Sequence, residues 1–313
     1  MKLLITGGAG FIGSNLVGKL VKSNEIIVID NLSGGKEEFI EPFLDEIKFY
    51  KVDLLDDINS YFSGVEEVWH LAADPSVKDS SIYTFFRDLK ITKNVLEACK
   101  KNKVKKILFT SSSTVYGDSE LNTPENCETK PISFYGATKL ACESLISSYC
   151  SLCKIRGFIF RLANIIGKNS THGVIYDFIH KLLKNGEELE ILGDGTQTKS
   201  YLSVDDCING MLIAKNKAEN PVNIFNLGSK DRINVKEIAS VVVEEMISSG
   251  LLQKKPEFKF TGGVEGGRGW KGDVKEMLLD ISKLEKLGFK PEYNSKEAVR
   301  KCVIEIINSL YKK

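Results

Sequence analysis

The chain has 313 residues, a charged fraction of 27% and a formal net charge of +1. This length allows about two domains with a large core, and the near-neutral charge gives no global field favouring nucleic acid or a membrane surface. Its seven cysteines form no regular framework, which is typical of a reducing cytoplasm, and no apolar run is long enough to span a membrane. We therefore expect a soluble, cytoplasmic protein without nucleic-acid or membrane partners.

The amino terminus has the pattern of a dinucleotide-phosphate site. The apolar run Lys2–Thr6 is followed at once by Gly7, Gly10 and Gly13, and then by residues with helical spacing. In a strand–turn–helix of this kind, the first glycine permits the tight turn and the second lets the backbone approach the pyrophosphate, while the third lets the helix pack on the strand. A second predicted strand, Glu25–Asp30, ends in an acid. A carboxylate there binds ribose hydroxyls and repels a ribose phosphate, which favours NAD over NADP.

Alternating apolar runs and helical spacing continue through the first half. Further strands are predicted at 47–52, 66–71, 106–110, 155–161 and 223–227, and helices at 85–101 and 135–153. This order predicts an α/β fold with a doubly wound parallel sheet. Because such sheets bind ligands at the carboxyl ends of their strands, polar and small residues that follow the strands are expected at one edge. They are Asp53, Ala72, Ala73, Ser112 and Asn164.

Tyr135 and Lys139 are the candidate catalytic pair. They stand four residues apart in a predicted helix and therefore share one face. A nearby ammonium favours phenolate over phenol, which a tyrosine general base requires. The spacing alone is also typical of an ordinary surface helix, but the nucleotide-binding pattern upstream favours the catalytic interpretation. The hydroxyl cluster at 110–114, with Ser112, lies where it can join them.

The second half has a looser pattern. A helix is predicted at 174–183, a strand at 189–192, a mobile glycine-rich loop at 262–270 and a final helix opened by a capping arrangement of Asn294 and Glu297. We expect a cofactor domain at 1–166, with return segments near 200–230, and a smaller mixed α/β lobe at 167–313. Cys150 and Cys153 have C-x-x-C spacing, but no second pair or nearby histidine accompanies them, so no metal is expected.

Several motifs together resemble the extended short-chain dehydrogenase/reductase superfamily. They lie at 6–13, 30–32, 71–73, 111–117 and 135–139, and the similarity continues through 161–164, 193–197, 204–206 and 272–283. Within that superfamily, the chain looks most like the UDP-glucose 4-epimerases of the NAD-dependent epimerase/dehydratase group. The resemblance implies a Rossmann-type sheet, NAD as cofactor, a UDP-sugar as substrate and a homodimer formed through the helices at 85–101 and 135–153.

The resemblance also assigns roles to residues. Tyr135 is the base, Lys139 also binds the nicotinamide ribose, and Ser112 bonds the sugar oxygen. The cofactor site comprises Gly7, Gly10, Phe11, Ile12, Gly13, Asp30, Asn31, Asp53, Leu54, Leu71, Ala72, Ala73, Tyr135 and Lys139. The sugar-nucleotide site comprises Ser112, Tyr135, Asn164, Val174, Lys199, Arg268 and Met277, with Asn164 at the diphosphate and Met277 beside the sugar.

Three positions depart from the family pattern. Asp88 stands where an asparagine is usual, Lys199 replaces a common phosphate-binding arginine, and Arg268 lies two residues farther from Gly272 than in the commonest arrangement. Sugar dehydratases and decarboxylases of the group carry acids where this chain has Ser113 and Thr114, so the sequence favours simple inversion at C4 through a transient 4-keto sugar. The alternatives are an epimerase for N-acetylated or uronic sugars, a 4-keto reductase, and a non-catalytic NAD- or RNA-binding relative.

Overall fold

The computed structural model describes residues 1–77 and 80–310. Its strands are β1 Lys2–Thr6, β2 Glu25–Asp30, β3 Ile47–Lys51, β4 Glu67–His70, β5 Lys106–Ser112, β6 Arg156–Leu162, β7 Asn164–Ile166, β8 Glu188–Ile191, β9 Thr198–Lys199, β10 Tyr201–Ser203, β11 Val222–Leu227, β12 Ile233–Asn234, β13 Glu257–Phe260 and β14 Glu276–Met277. Its helices are α1 Phe11–Leu20, α2 Ile82–Lys101, α3 Phe134–Cys153, α4 Val174–Lys184, α5 Val204–Lys217, α6 Val235–Ser248, α7 Ser282–Glu285 and α8 Ser295–Leu310. No helix in these two ranges has the length and apolar character needed to cross a membrane.

A parallel sheet of seven strands, in the order β11-β6-β5-β4-β1-β2-β3, organises the molecule. Side chains alternate between its two faces, as a strand's period of two requires. On β1, Leu3 and Ile5 join the core that includes α1 and α5, while Leu4 joins the core that includes α2 and α3. Helices therefore cover both faces, and the prediction of a doubly wound parallel sheet is confirmed.

The predicted element boundaries are close to the observed ones. The second strand is Glu25–Asp30 as predicted, whereas the strand predicted at 106–110 continues to Ser112. The helix predicted to begin at 85 begins at Ile82, because Ser81 and Thr84 form a capping box at its start. Terminal turns depend on caps rather than on periodicity, so helix ends are harder to predict than helix existence.

The smaller lobe has its own apolar core, formed by α4, α6 and α8 with β8 and β10. Its sheets are small: β13 pairs with β8, β10 with β7, and β9 lies between β12 and β14. The capping arrangement at Asn294 and Glu297 is present as predicted, with each side chain accepting a hydrogen bond from the other's backbone N–H. The last strand of the large sheet, β11, comes from the second half of the chain and lies beside β6.

Candidate active site

A cleft of about 860 Å³ opens at the carboxyl ends of the large sheet and is lined by both lobes. This is where an open α/β sheet binds its ligand. The cleft brings together every site residue predicted from the sequence except Arg268. Within the described ranges, no group of three His, Cys, Asp or Glu side chains is arranged to hold a metal ion.

The glycine turn between β1 and α1 fits a dinucleotide pyrophosphate. Gly7 has a φ of +71°, and a Cβ at this position would lie 2.7 Å from the backbone nitrogen of Ala72. At Gly13 a Cβ would lie 2.1 Å from the carbonyl oxygen of Gly7, so only glycine lets the helix start this close to the strand. No side chain caps α1 at Gly10. The N–H groups of the first helical turn are therefore available to a phosphate.

Asp30 is fixed at the end of β2, in the wall of the cleft. Its two carboxylate oxygens accept hydrogen bonds from the backbone N–H groups of Ala9, at 3.0 Å, and Leu32, at 2.8 Å. Burial raises the pKa of Asp30 above its ordinary value, while these two hydrogen bonds oppose the change. Asn31 follows and donates to Asp53 at 2.8 Å, which orients a second acid in the same wall. This arrangement suits the hydroxyls of an adenosine ribose.

Tyr135 and Lys139 lie on successive turns of α3 and face the cleft. The buried ammonium of Lys139 donates to the carbonyl oxygen of Thr110 at 2.8 Å and lies 5.7 Å from the centroid of the Tyr135 ring. Ser133 begins the helix by accepting a hydrogen bond from the backbone N–H of Gly136 at 3.1 Å. The cation is thus held in place by β5, beside the ring of Tyr135.

Ser112 has its hydroxyl oriented by a residue that the sequence did not identify as part of the site. Its Oγ accepts hydrogen bonds from the backbone N–H and the hydroxyl of Thr114, at 3.2 Å and 2.9 Å. With both of these bonds accepted, the proton of Ser112 is left to donate. Thr114 therefore orients the Ser112 hydroxyl so that its proton can be donated, an arrangement that spacing alone could not reveal.

Asp88 lies outside the cleft lining and holds a residue of that lining in place. It is 6% exposed, and one of its oxygens accepts a hydrogen bond at 3.0 Å from the backbone N–H of Asp74, which lines the cleft. The other oxygen has no hydrogen-bond partner within the described part of the chain. Burial raises the pKa of Asp88. The acid found here in place of asparagine thus fixes the loop that follows β4.

The two cations predicted for the sugar nucleotide are already bound to carboxylates. Lys199 lines the cleft and contacts Asp273 at 2.6 Å. Arg268 does not line the cleft; its guanidinium donates to both oxygens of Asp118, at 3.2 Å and 2.9 Å, and to the backbone oxygen of Asp273 at 2.7 Å. Asp273 is 3% exposed and organises both cations. It lies in the 272–274 motif, which is the sequence signal that could have identified it.

Asn164, Val174 and Met277 complete the cleft on the side of the smaller lobe. Asn164 donates its side-chain amide to the backbone oxygen of Ser200 at 3.1 Å, and Val174 is the first residue of α4. Met277 pairs with Lys199 across β14 and β9 and is 9% exposed. These positions agree with a sugar nucleotide entering between the lobes.

Comparison with known proteins agrees with this geometry. The sequence profile of the NAD-dependent epimerase/dehydratase family matches residues 3–228. A Methanocaldococcus jannaschii protein provisionally named UDP-glucose 4-epimerase is 35% identical over 96% of this chain and 97% of its own length. A crystal structure of a UDP-galactose 4-epimerase superposes with a TM-score of 0.86 at 38% identity, covering 99% of this chain and 100% of that one. A Bacillus cereus UDP-glucuronic acid 4-epimerase, crystallised with UDP-glucuronic acid and NAD, gives a TM-score of 0.87 at 29% identity over 99% and 100% of the two chains.

Proposed function

The chain belongs to the NAD-dependent epimerase/dehydratase family, and we propose that it inverts C4 of a UDP-hexose, interconverting UDP-glucose and UDP-galactose. The observation that carries this proposal is the group formed by Tyr135, Lys139 and Ser112 in the cleft, with hydroxyl side chains and no acid at 113 and 114. NAD bound in the cleft supplies reversible acceptance of hydride from the sugar carbon.

The protein's own groups manage the proton and the geometry. Tyr135, as phenolate, takes the proton of the C4 hydroxyl, and the fixed ammonium of Lys139 stabilises that phenolate. Ser112, oriented by Thr114, donates to the C4 oxygen. The resulting 4-keto sugar turns over while its nucleotide stays bound, and Tyr135 returns the proton when the opposite face is reduced. Each turnover restores both the cofactor and the base.

The residues beside Ser112 favour inversion over elimination or decarboxylation. Those reactions need a further acid or base at a carbon next to C4, and the side chain of Thr114 is occupied in a hydrogen bond to Ser112. A 4-keto reductase is the main alternative within the family. It would release its oxidised cofactor and would accept a ketone formed elsewhere, so conversion of UDP-glucose without added NADH separates the two activities.

An N-acetylated sugar is a second candidate substrate, favoured by Met277. This side chain lies in the cleft on a two-residue strand, beside the cation Lys199. Methionine is unbranched and has three rotatable bonds, so it can move aside for an acetyl group where a rigid ring could not. We infer that the UDP-glucose/UDP-galactose pair and the N-acetylated pair are both converted.

A substrate panel tests the proposal. Purified protein is incubated with UDP-glucose, UDP-galactose, their N-acetylated forms and UDP-glucuronic acid, and the products are identified by NMR without added NADH. The expected products are the C4 epimers of UDP-glucose and UDP-galactose and those of their N-acetylated forms. Turnover of UDP-glucuronic acid alone would instead indicate a uronic-sugar epimerase. Bound NAD with no turnover of any sugar would indicate a binding protein.

We also propose that the chain forms a homodimer through α2 and α3. Large apolar side chains on or beside the first turns of these helices are exposed, including Tyr83, Phe86 and Phe134, which are 83%, 62% and 49% exposed. Burying them against a second copy would form a four-helix interface and remove an apolar patch from water. Light scattering at micromolar concentration should give twice the chain mass, and a monomer would contradict the proposal.

A further inference from the structure

The segment Lys168–Gly173, here called the strap, belongs to the smaller lobe but is attached to α1 of the cofactor domain. Asn15, on the second turn of α1, donates its side-chain amide to the backbone oxygen of Lys168 at 2.9 Å. In the opposite direction, Asn169 donates its side-chain amide to the hydroxyl of Ser14 at 2.9 Å. Two hydrogen bonds thus join segments that are more than 150 residues apart in the chain.

The strap continues from this attachment along the cofactor cleft. Ser170, Thr171, His172 and Gly173 all line the same cavity as the first turn of α1, where the pyrophosphate binds. The attachment residues Ser14, Asn15, Lys168 and Asn169 are outside that lining. They can therefore affect a bound dinucleotide through the position of the strap, and Ser14 and Asn15 also donate to the carbonyl oxygen of Phe11 in the first turn of α1, at 3.1 Å and 2.9 Å.

The strap has an unusual backbone at its attachment. Asn169 has a φ of +68°, in the left-handed region that asparagine tolerates better than most residues. This conformation has a conformational cost, which the hydrogen bond to Ser14 helps to offset. The side chain of Ser14 is 2% exposed, so the bond is shielded from water at its acceptor. Loss of this bond should weaken the attachment of the strap to α1, although the bond from Asn15 to Lys168 remains.

We propose that the strap closes the cofactor cleft against α1 and slows the release of NAD, with Ser14, Asn15 and Asn169 as positioning residues. The strap and the first turn of α1 line the same cleft, so the two hydrogen bonds act as a latch that holds the strap beside the cofactor site. Such a latch suits a reaction in which the cofactor is regenerated at every turnover and need not exchange. The inference rests on the cofactor alone and is independent of which sugar is converted.

Exchange of NAD measures the latch directly. Holoenzyme is mixed with excess isotopically labelled NAD in the absence of any sugar, and the label in the protein-bound fraction is followed over time. Asn169→Gly removes the amide but retains the positive φ, and Ser14→Ala removes the acceptor while favouring the helix. Each variant should exchange NAD about three- to tenfold faster than the wild type, the effect of one lost hydrogen bond.

A double variant and a matched control complete the test. Asn169→Gly combined with Ser14→Ala should exchange no faster than Ser14→Ala alone, because Ser14→Ala already removes the bond to Asn169, together with the bond from Ser14 to the carbonyl oxygen of Phe11. Asn122 is an exposed asparagine with a φ of +58° outside the cleft lining, so Asn122→Gly makes the same backbone change elsewhere and should leave exchange unaltered. Wild-type exchange in both single variants, additive effects in the double variant, or equal acceleration by Asn122→Gly would each overturn the proposal.

Discussion

The two halves of the cleft differ in how ready they are for their ligands. In the cofactor half, Gly7, Gly13 and Asp30 already have the conformations that a dinucleotide needs, fixed by backbone contacts. On the side proposed for the sugar nucleotide, Lys199 in the cleft and Arg268 outside its lining are bound to carboxylates of the protein. The cofactor half is preorganised, whereas an anionic group that bound Lys199 or Arg268 would have to compete with these carboxylates. A preorganised site favours tight and lasting binding of the cofactor, whereas competition with protein carboxylates favours exchange of the sugar nucleotide.

The largest effect should come from removing the base at the junction of the two halves. Tyr135→Phe deletes the phenol and should reduce turnover by at least about a hundredfold, within the usual range for loss of a general base. NAD binding should remain nearly intact, because the glycine turn and Asp30 are unchanged. Initial rates and the NAD content of purified protein measure the two effects. A variant with wild-type turnover would contradict the assignment of Tyr135.

A smaller effect, on the choice of sugar, is expected from a change at Met277. Met277→Tyr should reduce turnover of UDP-N-acetylglucosamine about tenfold or more, since an added rigid ring overfills the space an acetyl group needs. Turnover of UDP-glucose should change by no more than about twofold, and Met277→Leu, which conserves volume, should leave both substrates active. If the native enzyme converts UDP-glucose but never the acetylated sugar, Met277 does not admit an acetyl group.

The role of Asp30 in the cofactor half is tested by the preference for NAD over NADP. The native apoprotein should bind NAD at least about tenfold tighter than NADP, because the carboxylate accepts ribose hydroxyls and repels a ribose phosphate. Asp30→Asn should narrow this preference and also lower thermal stability, since an amide has one acceptor oxygen for the two backbone donors of Ala9 and Leu32. Titration calorimetry measures both affinities. Equal or tighter binding of NADP by the native protein would contradict NAD selectivity.

The smallest effect should come from the ion pair between Arg268 and Asp118. Asp118→Asn weakens the ion pair that holds Arg268 outside the cleft, so the KM for UDP-glucose should fall about threefold with kcat unchanged, as expected for a partly exposed pair. Glu128→Gln removes another ion pair, with Lys130, whose side chains are 72% and 71% exposed, and should have no effect on KM. A KM that is unchanged or higher in Asp118→Asn would show that Arg268 does not serve the substrate.

The contrast between the cofactor half and the sugar-nucleotide side also explains which features could be predicted from the sequence. The cofactor half follows from local patterns, because the run Lys2–Thr6, the glycines after it and Asp30 lie within one strand–turn–helix–strand segment. The contact of Arg268 with Asp118 joins residues 150 positions apart and involves no regular element. Two-residue strands such as β9 and β14 are too short to show any periodicity. Spacing also could not show that Thr114 orients Ser112.

The place of β11 in the large sheet has a consequence for synthesis on the ribosome. Strand β6 ends at Leu162, but its neighbour β11 ends at Leu227, some 65 residues later. At translation rates of about 5–20 residues per second, β11 is completed roughly 3–13 s after β6, and until then this edge of β6 is unpaired. A nascent chain with an unpaired strand edge is prone to join other chains. A nascent chain that ends near residue 166 therefore exposes β6 as the edge of its sheet, because the strand that covers this edge has still to be made.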